Sequence, residues 1–364
     1  MKNHPEKDRS LEFISAVISI ILIAVIIITD SAGRISLAVA TVMYGTGDAS
    51  VQTAATSSAP TALYKETVSD VSDSRDITRT PDDIAQLIKK YTELFKNDKK
   101  DGTIKSVTYI TKGASHIFEN ICVKNTTETK TLNIEKVLSN PLELSIDKSK
   151  PAVLIFHSHT SEGYELIERD WYAADRTSRS NDENINIVRV GTEIADYLTA
   201  LGYTVIHDKT IHDKSYNDSY PSSRQTVEKH LKEHPEIQIV LDIHRDSVTQ
   251  TNGDKLKFVN TIGGKKAAEL MIITGAEEGK VTDFPDWEHN LRFALQLQKK
   301  CVDMFPGLMR PVLFSQRKYN MDMTRFSLLV EMGSEANTLE EACYSGRMLA
   351  AALAALMDEY TKEK

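Results

Sequence analysis

The sequence predicts an α/β fold, a mostly parallel sheet flanked by helices, with one transmembrane helix at the amino terminus. Short apolar runs that resemble buried strands alternate with longer amphipathic segments, the pattern of parallel sheets with helices on both faces. The first 30 of the 364 residues hold an apolar run that stands apart from this globular pattern. We found no internal repeat and no nucleotide-binding fingerprint.

The amino-terminal run Leu11–Thr29 carries one charge, Glu12, near its edge. A helix of this length, at about 1.5 Å per residue, nearly spans a hydrocarbon core of about 30 Å. The residues Lys2, Lys7 and Arg9 precede it, and such basic residues favour a cytoplasmic amino end. We therefore expect a single-pass anchor in the cell membrane, with the remainder on the extracytoplasmic side.

A cleaved signal peptide is the alternative interpretation. The small-x-small sequences Ser36-Leu37-Ala38 and Ala38-Val39-Ala40 follow the apolar run and suit a signal peptidase. A signal peptide has a shorter apolar stretch than the one present here, so the sequence favours an uncleaved anchor. The remainder of the chain is exported under either interpretation.

The anchor and its cytoplasmic tip take up residues 1–30, and a flexible tether rich in Ser, Thr, Ala and Gly is expected over residues 31–80. Residues 81–150 are expected to form an amino-terminal extension of the main domain, beginning with a helix over Pro81–Asn97. Residues 151–364 are expected to form the main domain itself. Its strands are predicted at Pro151–His157, Tyr203–His207, Ile237–His244 and Ser327–Glu331, and its helices at Ile187–Leu201, from Trp287 onwards and over much of Leu339–Tyr360.

The composition excludes several classes of function. A formal net charge of −8, without a basic patch that includes aromatic residues, excludes nucleic acid as the partner. Three scattered cysteines without CxxC spacing predict neither a disulfide framework nor a structural zinc site. We expect all three to be buried apolar side chains, namely Cys122, Cys301 and Cys343.

Three predicted strands end in residues that bind metals or transfer protons. The runs are FHSHTSE at residues 156–162, LDIHRD at residues 241–246 and VEMG at residues 330–333. In open α/β sheets, functional groups gather at the carboxyl ends of the strands. The sequence therefore predicts one site built from these three strand ends.

The residues at these ends suit a catalytic zinc ion, which takes three protein ligands and leaves a position for water. We predict His159, Glu162 and His244 as the ligands, with Zn²⁺ as the cofactor. Glu331 is then the carboxylate that accepts a proton from the water, whose pKa a bound zinc lowers to about 7. Arg245, next to His244, is predicted to stabilise the oxyanion or to bind an acidic substrate.

One ligand position has two candidates on the residues alone. His157 lies two positions before His159, and in an extended strand the two side chains face the same side. His159 is favoured because the spacing His159-x-x-Glu162 lets both side chains reach one cation. His157 is then expected to contact the substrate or to donate to a ligand.

Several motifs resemble those of the stage II sporulation protein P family. They are HSHTSEGY, NINIVRVG (residues 184–191), HDKTIHDKSYNDSY and LDIHRDS, in the family's order. The resemblance covers residues from about Lys112 to the carboxyl terminus and includes CVKNTTETKTLNIEKVL. The amino-terminal anchor and the tether also match the family's usual layout.

The resemblance implies an N-acetylmuramoyl-L-alanine amidase, a peptidoglycan hydrolase with a zinc amidase or carboxypeptidase-like fold. Such proteins are anchored in the mother-cell membrane and act during engulfment of the forespore. Their implied partners are peptidoglycan, a sporulation lytic transglycosylase and a membrane protein. In the broader zinc amidases the catalytic Glu lies in a Val-Glu-x-Gly context, which here is Val330–Gly333.

The resemblance leaves the carboxylate ligand open. In the broader zinc amidases this ligand lies just before a helix that starts with Asn and an aliphatic residue. That position falls near Asp182, before Asn186. Zinc carboxypeptidases, which look related in fold, use the HxxE spacing and favour Glu162. We choose Glu162 and keep Asp182 as the alternative.

Two other functions are compatible with the sequence. A zinc endopeptidase would cut only the stem peptides of peptidoglycan, an activity that is also ascribed to this family. A non-catalytic protein would bind or scaffold the wall without turnover. The retention of both histidines and both carboxylates of the predicted site favours an enzyme.

Overall fold

The computed structural model describes residues 76–361, apart from the side chain of Tyr216, together with the backbone of two strands near the amino terminus. These strands, β1 (Leu22–Thr29) and β2 (Ile35–Val42), pair antiparallel. The chain divides into two compact units, residues 1–62 and residues 63–364.

Residues 11–21 of the predicted transmembrane helix lie outside the described residues, and the structure has its last part as β1. This part is LIAVIIIT, and its β-branched residues favour extended backbone. None of the described helices is long and apolar enough to cross a membrane. Most of the predicted tether also lies outside the described residues, so the anchor and the tether stay predictions.

The second unit alternates helices and strands along the chain. Its helices are α1 (Asp82–Leu94), α2 (Ile134–Leu138), α3 (Ile187–Ala200), α4 (Ser219–Glu233), α5 (Trp287–Met304) and α6 (Leu339–Asp358), with a 3₁₀ turn at Tyr216–Asp218. Its strands are β3 (Gly102–Val107), β4 (His116–Phe118), β5 (Ile121–Asn125), β6 (Pro151–Phe156), β7 (Trp171–Tyr172), β8 (Thr204–His207), β9 (Ile239–Asp246), β10 (Lys255–Ile262), β11 (Lys265–Ala268), β12 (Leu270–Gly275), β13 (Val312–Ser315) and β14 (Phe326–Ser334).

The main sheet has eight strands in the order β4-β5-β13-β12-β14-β9-β6-β8. The pairs β4–β5 and β12–β14 are antiparallel, and the other pairs of neighbours are parallel. The prediction of a mostly parallel sheet is therefore confirmed. The strands β6, β9 and β14 run side by side in one direction, so their carboxyl ends meet at the same edge.

Helices cover both faces of this sheet. In β6, Val153 and Ile155 pack into the large core that includes α3, α5 and α6. The alternate residues Leu154 and Phe156 pack on the opposite face against Val227 of α4. This two-residue alternation is the pleat of a strand buried on both sides. All three cysteines are buried, as the sequence predicts.

Helix α4 and a smaller sheet were not predicted from the sequence. Helix α4 buries only Ser219, Ser223 and Val227, so its apolar stripe is too weak to indicate a helix. The smaller sheet has the order β11-β10-β3-β7. Its strand β10 reads KLKFVNTI, in which lysines interrupt the apolar residues and hide the strand pattern.

Candidate metal centre and active site

The carboxyl ends of β6, β9 and β14 open into a cleft of about 490 Å³. Every residue of the predicted site lines it, namely His159, Glu162, His244, Arg245 and Glu331. These residues are up to 172 positions apart in the chain, and the parallel order of three neighbouring strands brings them together. The structure thus places the predicted residues in one site.

The loop after β6 carries two of these residues and is held by Asp242 of β9. The backbone N–H of Ser158 donates to Asp242 Oδ1 at 2.9 Å, and the Ser158 hydroxyl donates to Oδ2 at 2.6 Å. The loop then turns, with the N–H of Glu162 donating to the carbonyl of His159 at 3.2 Å. His159 and Glu162 are buried, with 6% and 5% of their surface exposed.

His244 lies between carboxylates at the end of β9. Its Nε2 is 2.7 Å from Asp242 Oδ1, and its Nδ1 is 3.7 Å from Glu162 Oε2. Its ring lies edge-on to that of His159, with 5.3 Å between the ring centroids. Burial by itself lowers the pKa of His244, but Asp242, Glu162 and Glu331 outweigh it and raise the pKa to about 9.

Glu331 enters the cleft from β14 and pairs in register with His244 on the adjacent parallel strand. Its Oε2 is shielded from solvent and accepts no hydrogen bond from the described residues. Burial raises the pKa of this carboxyl to about 8; His244 opposes the shift, and the acidic Asp246 and Glu162 add to it. A half-buried carboxyl with a raised pKa and one shielded oxygen that accepts no hydrogen bond is a candidate for proton transfer.

The donor atoms of His159, Glu162 and His244 do not all lie within 4.8 Å of one another. Among the described residues, the set that meets this criterion lies elsewhere, at His230, Glu233 and His234. Zinc binds nitrogen and oxygen at about 2.0–2.2 Å. Binding in the cleft therefore requires the three predicted ligands to move closer together.

His157 faces away from the cleft, so the expectation that it lies on the same side as His159 is wrong. Its Nδ1 is 2.8 Å from the carbonyl of Ile243, and its Nε2 is 2.9 Å from Nε2 of His207. The strand ends at Phe156 and the chain turns, which separates the two histidines. Burial lowers the pKa of His157 to about 4 and keeps it neutral. Of the two candidates, His159 is the one in the cleft.

Asp182, the alternative carboxylate ligand, lies exposed in the loop before α3. Its Oδ1 accepts hydrogen bonds from the backbone and side-chain amides of Asn184, at 3.0 and 2.8 Å. Glu162 lines the cleft and Asp182 is not among the described residues that do. The geometry favours Glu162 as the ligand.

Arg245 directs its guanidinium to backbone carbonyls. Its Nε donates to Gly163 at 2.8 Å and its Nη2 donates to Ser178 at 3.0 Å. Its backbone N–H donates to Glu162 Oε2 at 3.0 Å. Arg245 thus holds the loop that carries Glu162 and orients that carboxylate.

Arg179 is a cation at the cleft that was not predicted from the sequence. Its Nη2 lies 3.7 Å from Glu162 Oε1, and its Nη1 donates to Asp213 Oδ2 at 2.8 Å. Its side chain is 37% exposed. Arg179 lies in a polar loop far from any strand end, and no sequence pattern marks it.

An aromatic wall formed by Tyr220 and Tyr319 borders the cleft and was also missed. The two rings are stacked at 5.0 Å, and the Tyr220 ring lies 5.5 Å from His159 and 6.4 Å from His244. Tyr319 has a φ of 43°, in the left-handed region that non-glycine residues rarely adopt. Such strain concentrates at functional sites. The exposed guanidinium of Arg317 lies 5.3 Å from the Tyr319 ring.

A model of the family described as Stage II sporulation protein P (SpoIIP) matches residues 60–354. The chain belongs to this family. The Stage II sporulation protein P of Bacillus subtilis (strain 168) is 30% identical over an alignment of 205 residues, and the match covers 53% of this chain and 47% of that protein. The match therefore spans about half the length of that relative. The family resemblance stated from the sequence motifs is confirmed.

Solved structures of N-acetylmuramoyl-L-alanine amidases are more distantly similar. AmiC2 of Nostoc punctiforme has a TM-score of 0.34 at 13% identity and covers 57% of this chain and 96% of its own. The catalytic domain of CwlV from Bacillus (Paenibacillus) polymyxa var. colistinus has a TM-score of 0.33 at 14% identity, covering 57% and 97%. These scores are too low to support an argument about this SpoIIP-family chain.

Proposed function

We propose that this SpoIIP-family protein is a zinc-dependent peptidoglycan hydrolase that cleaves the N-acetylmuramoyl-L-alanine amide bond during forespore engulfment. Membership of the family supports the role in sporulation. One observation carries the proposed chemistry: two histidines and two carboxylates from three strand ends line one cleft.

His159, Glu162 and His244 would hold the zinc ion. The contact of His244 Nε2 with Asp242 supports this assignment, because a carboxylate on one ring nitrogen leaves the other free to bind a metal. That other nitrogen, Nδ1, is the one that lies near Glu162. A bound zinc ion supplies a Lewis acid for the amide carbonyl and lowers the pKa of a bound water.

Glu331 is the proposed general base and acid. A pKa of about 8 allows its carboxyl to take up and release a proton near neutral pH, as general acid–base catalysis requires. The carboxylate accepts the proton of the attacking water and then donates it to the leaving L-alanine amine. Its unpartnered Oε2 is the atom that we assign to this transfer.

Arg245 acts in this proposal mainly as a positioning residue. The hydrogen bonds from its guanidinium to Gly163 and Ser178 hold the loop that presents Glu162. Because the Arg245 guanidinium is occupied by these carbonyls, another cationic side chain is needed to stabilise the oxyanion. Arg179, which is half-exposed and close to Glu162 Oε1, is well placed to supply it.

The aromatic wall and Arg317 are the proposed contacts for the substrate. Sugar rings and peptide planes pack well on aromatic rings, and the half-buried rings of Tyr220 and Tyr319 border the cleft. The stem peptides of peptidoglycan carry free carboxylates. The guanidinium of Arg317, which makes no ion pair with the described residues, suits such a group.

We further propose that the apolar run Leu11–Thr29 anchors the protein in the cell membrane, with the catalytic domain on the extracytoplasmic side. The sequence pattern of this run supports the anchor. The family resemblance supports joint action with a sporulation lytic transglycosylase and a membrane partner.

Digestion of purified peptidoglycan by the full chain, with and without a chelator, tests the proposed activity. Mass analysis of the products distinguishes the functions. An amidase releases stem peptides with a free L-alanine amine and leaves lactyl carboxylates on the glycan. A stem endopeptidase opens cross-links and leaves stems on the glycan. Absence of products with added zinc, alone and with the partners, would support a scaffold and contradict the proposal.

A further inference from the structure

We propose a second metal site, outside the cleft, at the carboxyl-terminal end of α4. Its ligands are His230, Glu233 and His234, and it suits a divalent transition-metal ion such as Zn²⁺. None of the three lines the cleft of the candidate active site. The site is independent of the amidase proposal, because it uses different ligands on a different element.

The three side chains converge on one point. Each offers a ligand atom, and these atoms all lie within 4.8 Å of one another. On a helix, positions three and four apart lie on the same face, so the spacing of His230, Glu233 and His234 directs them together. The rings of the two histidines are stacked with 6.4 Å between centroids. A metal ion can therefore bind with little movement of the backbone.

A carboxylate next to the site orients its ligand His230. Nε2 of His230 lies 2.8 Å from Oδ2 of Asp208, the residue that follows β8. A carboxylate accepts the Nε2 proton, which leaves the lone pair on Nδ1. That Nδ1 atom is shielded from solvent and has no hydrogen-bond partner among the described residues. Histidine ligands of metals have this arrangement, with one nitrogen on a carboxylate and the other on the ion.

The position at the end of a helix adds to the attraction for a cation. His234 is the residue that caps α4, and its N–H donates to the carbonyl of His230 at 2.8 Å. The last carbonyls of a helix carry partial negative charge, which favours a nearby cation. Two imidazoles and one carboxylate are the ligands of zinc, cobalt and nickel rather than of calcium or magnesium.

A bound ion would fix the orientation of His230 and so strengthen the hydrogen bond by which α4 contacts Asp208, in the segment that follows β8. That segment begins beside His207, whose ring contacts His157 in the core. We therefore assign the site a structural role, in which the ion stabilises the packing of α4 on the sheet.

The test measures the number of metal ions bound per chain in a variant that lacks the two histidine ligands of the cleft. In the full chain with His159→Ala and His244→Ala, we expect one equivalent of Zn²⁺ or Co²⁺ to remain after dialysis. Adding His234→Ala removes that equivalent, whereas His289→Ala, on α5, does not. The proposal is overturned if the double variant binds no metal, or if His234→Ala leaves the bound amount unchanged.

A second measurement applies if the double variant fails to fold. In the otherwise unchanged full chain, His234→Ala should lower the bound zinc by one equivalent without loss of peptidoglycan cleavage. If the cleft binds no zinc, the parent holds one equivalent and His234→Ala holds none. Failure of the cleft site is therefore distinguishable from failure of the second site. Asp208→Asn should weaken metal binding by about 10-fold to 100-fold, as loss of such orienting carboxylates does. An unchanged count and affinity in both variants would overturn the site.

Discussion

His244 and Glu331 are register partners on the adjacent parallel strands β9 and β14, and both side chains enter the same cleft. One is predicted to bind the metal and the other to move the proton. Register partners on paired strands project from the same face of the sheet. The pairing therefore holds the two side chains close together independently of the conformation of the surrounding loops.

Replacement of Glu331 by Gln separates metal binding from proton transfer. The amide cannot accept a proton, so we expect the turnover number to fall by about 10²-fold to 10⁴-fold, with the bound zinc unchanged. Metal analysis and peptidoglycan cleavage measured on the same sample check this. Glu335→Gln is the control, since Glu335 also lines the cleft but its carboxylate pairs with Lys255 at 3.4 Å. Full activity of Glu331→Gln would refute the role.

Asp242→Asn should weaken zinc binding in the cleft. This change removes the negative charge that orients His244 and one of the two carboxylate oxygens that accept hydrogen bonds from Ser158. We therefore expect the zinc affinity to fall by about 10-fold to 100-fold. Excess zinc should restore much of the activity. Titration with a zinc chelator of known affinity measures the change. Asp322→Asn, which breaks a part-buried ion pair with Arg224, should leave the zinc affinity unchanged, because Asp322 does not line the cleft.

Arg317→Ala should weaken substrate binding more than turnover. Loss of one charge-assisted contact costs about 1.5 kcal/mol or more, so KM for soluble muropeptides should rise about tenfold with kcat little changed. Steady-state kinetics on muropeptides with free and with amidated stem carboxylates measure this. The amidated substrate should show a much smaller rise. An equal rise for both substrates would contradict a carboxylate contact.

Gly191→Ala should destabilise the fold although alanine favours helices. A Cβ at this position in α3 would lie 2.6 Å from Nε2 of both His157 and His207. The helix gains about 1 kcal/mol from the substitution, but overpacking of a buried site costs about 1–3 kcal/mol. Denaturant unfolding measures the net change. A Cβ added at Gly346 would lie 3.3 Å from the nearest side-chain atom, in Ile194. Gly346→Ala should therefore lower the free energy of unfolding by less. A stability gain at Gly191 would contradict the packing argument.

The pair of His207 and His157 should make the fold sensitive to acid. Burial, and then His157, lower the pKa of His207 to about 2, below the value of about 6.5 in an unfolded chain. The unfolded state then binds more protons than the folded state as the pH falls below 6.5. The contribution of neutral His207 to the free energy of unfolding is therefore fully present above that pH and is lost progressively below it. The slope reaches at most about 1.4 kcal/mol per pH unit for this group.

Urea unfolding between pH 7.5 and pH 5 measures that slope. The variant His207→Gln should have a shallower dependence than the parent, because one neutral buried imidazole is gone. The matched change His116→Gln, at the edge strand β4, should keep the parent's slope. Equal slopes in all three proteins would exclude His207 as the group responsible.

The strands and helices of residues 151–361 were predictable from the sequence where apolar residues follow one another without interruption. The run PAVLIFH became β6 because apolar β-branched residues suit a strand buried on both faces. Helix α4 and strand β10 were not predictable in this way, because charged residues interrupt their apolar positions. Their structure depends on contacts that are distant in sequence.

The candidate site was predictable in its strand-end residues but not in its surroundings. His159, Glu162, His244 and Glu331 follow apolar runs, and the rule for open α/β sheets places them together. Asp242 lies within such a run, and nothing in its pattern distinguishes it from an ordinary buried residue. Tyr220, Tyr319 and Arg179 come from loops and from a helix without a periodic signal.

The sequence by itself determined the fold class, the family and the residue types of the cleft. These follow from local patterns, since hydrophobic period and motif order are properties of neighbouring residues. Only the tertiary structure decided which candidates line the cleft, namely His159 rather than His157 and Glu162 rather than Asp182. The reason is the direction of the chain: β6 ends at Phe156, so the turn that follows sends one histidine to the core and the other to the cleft.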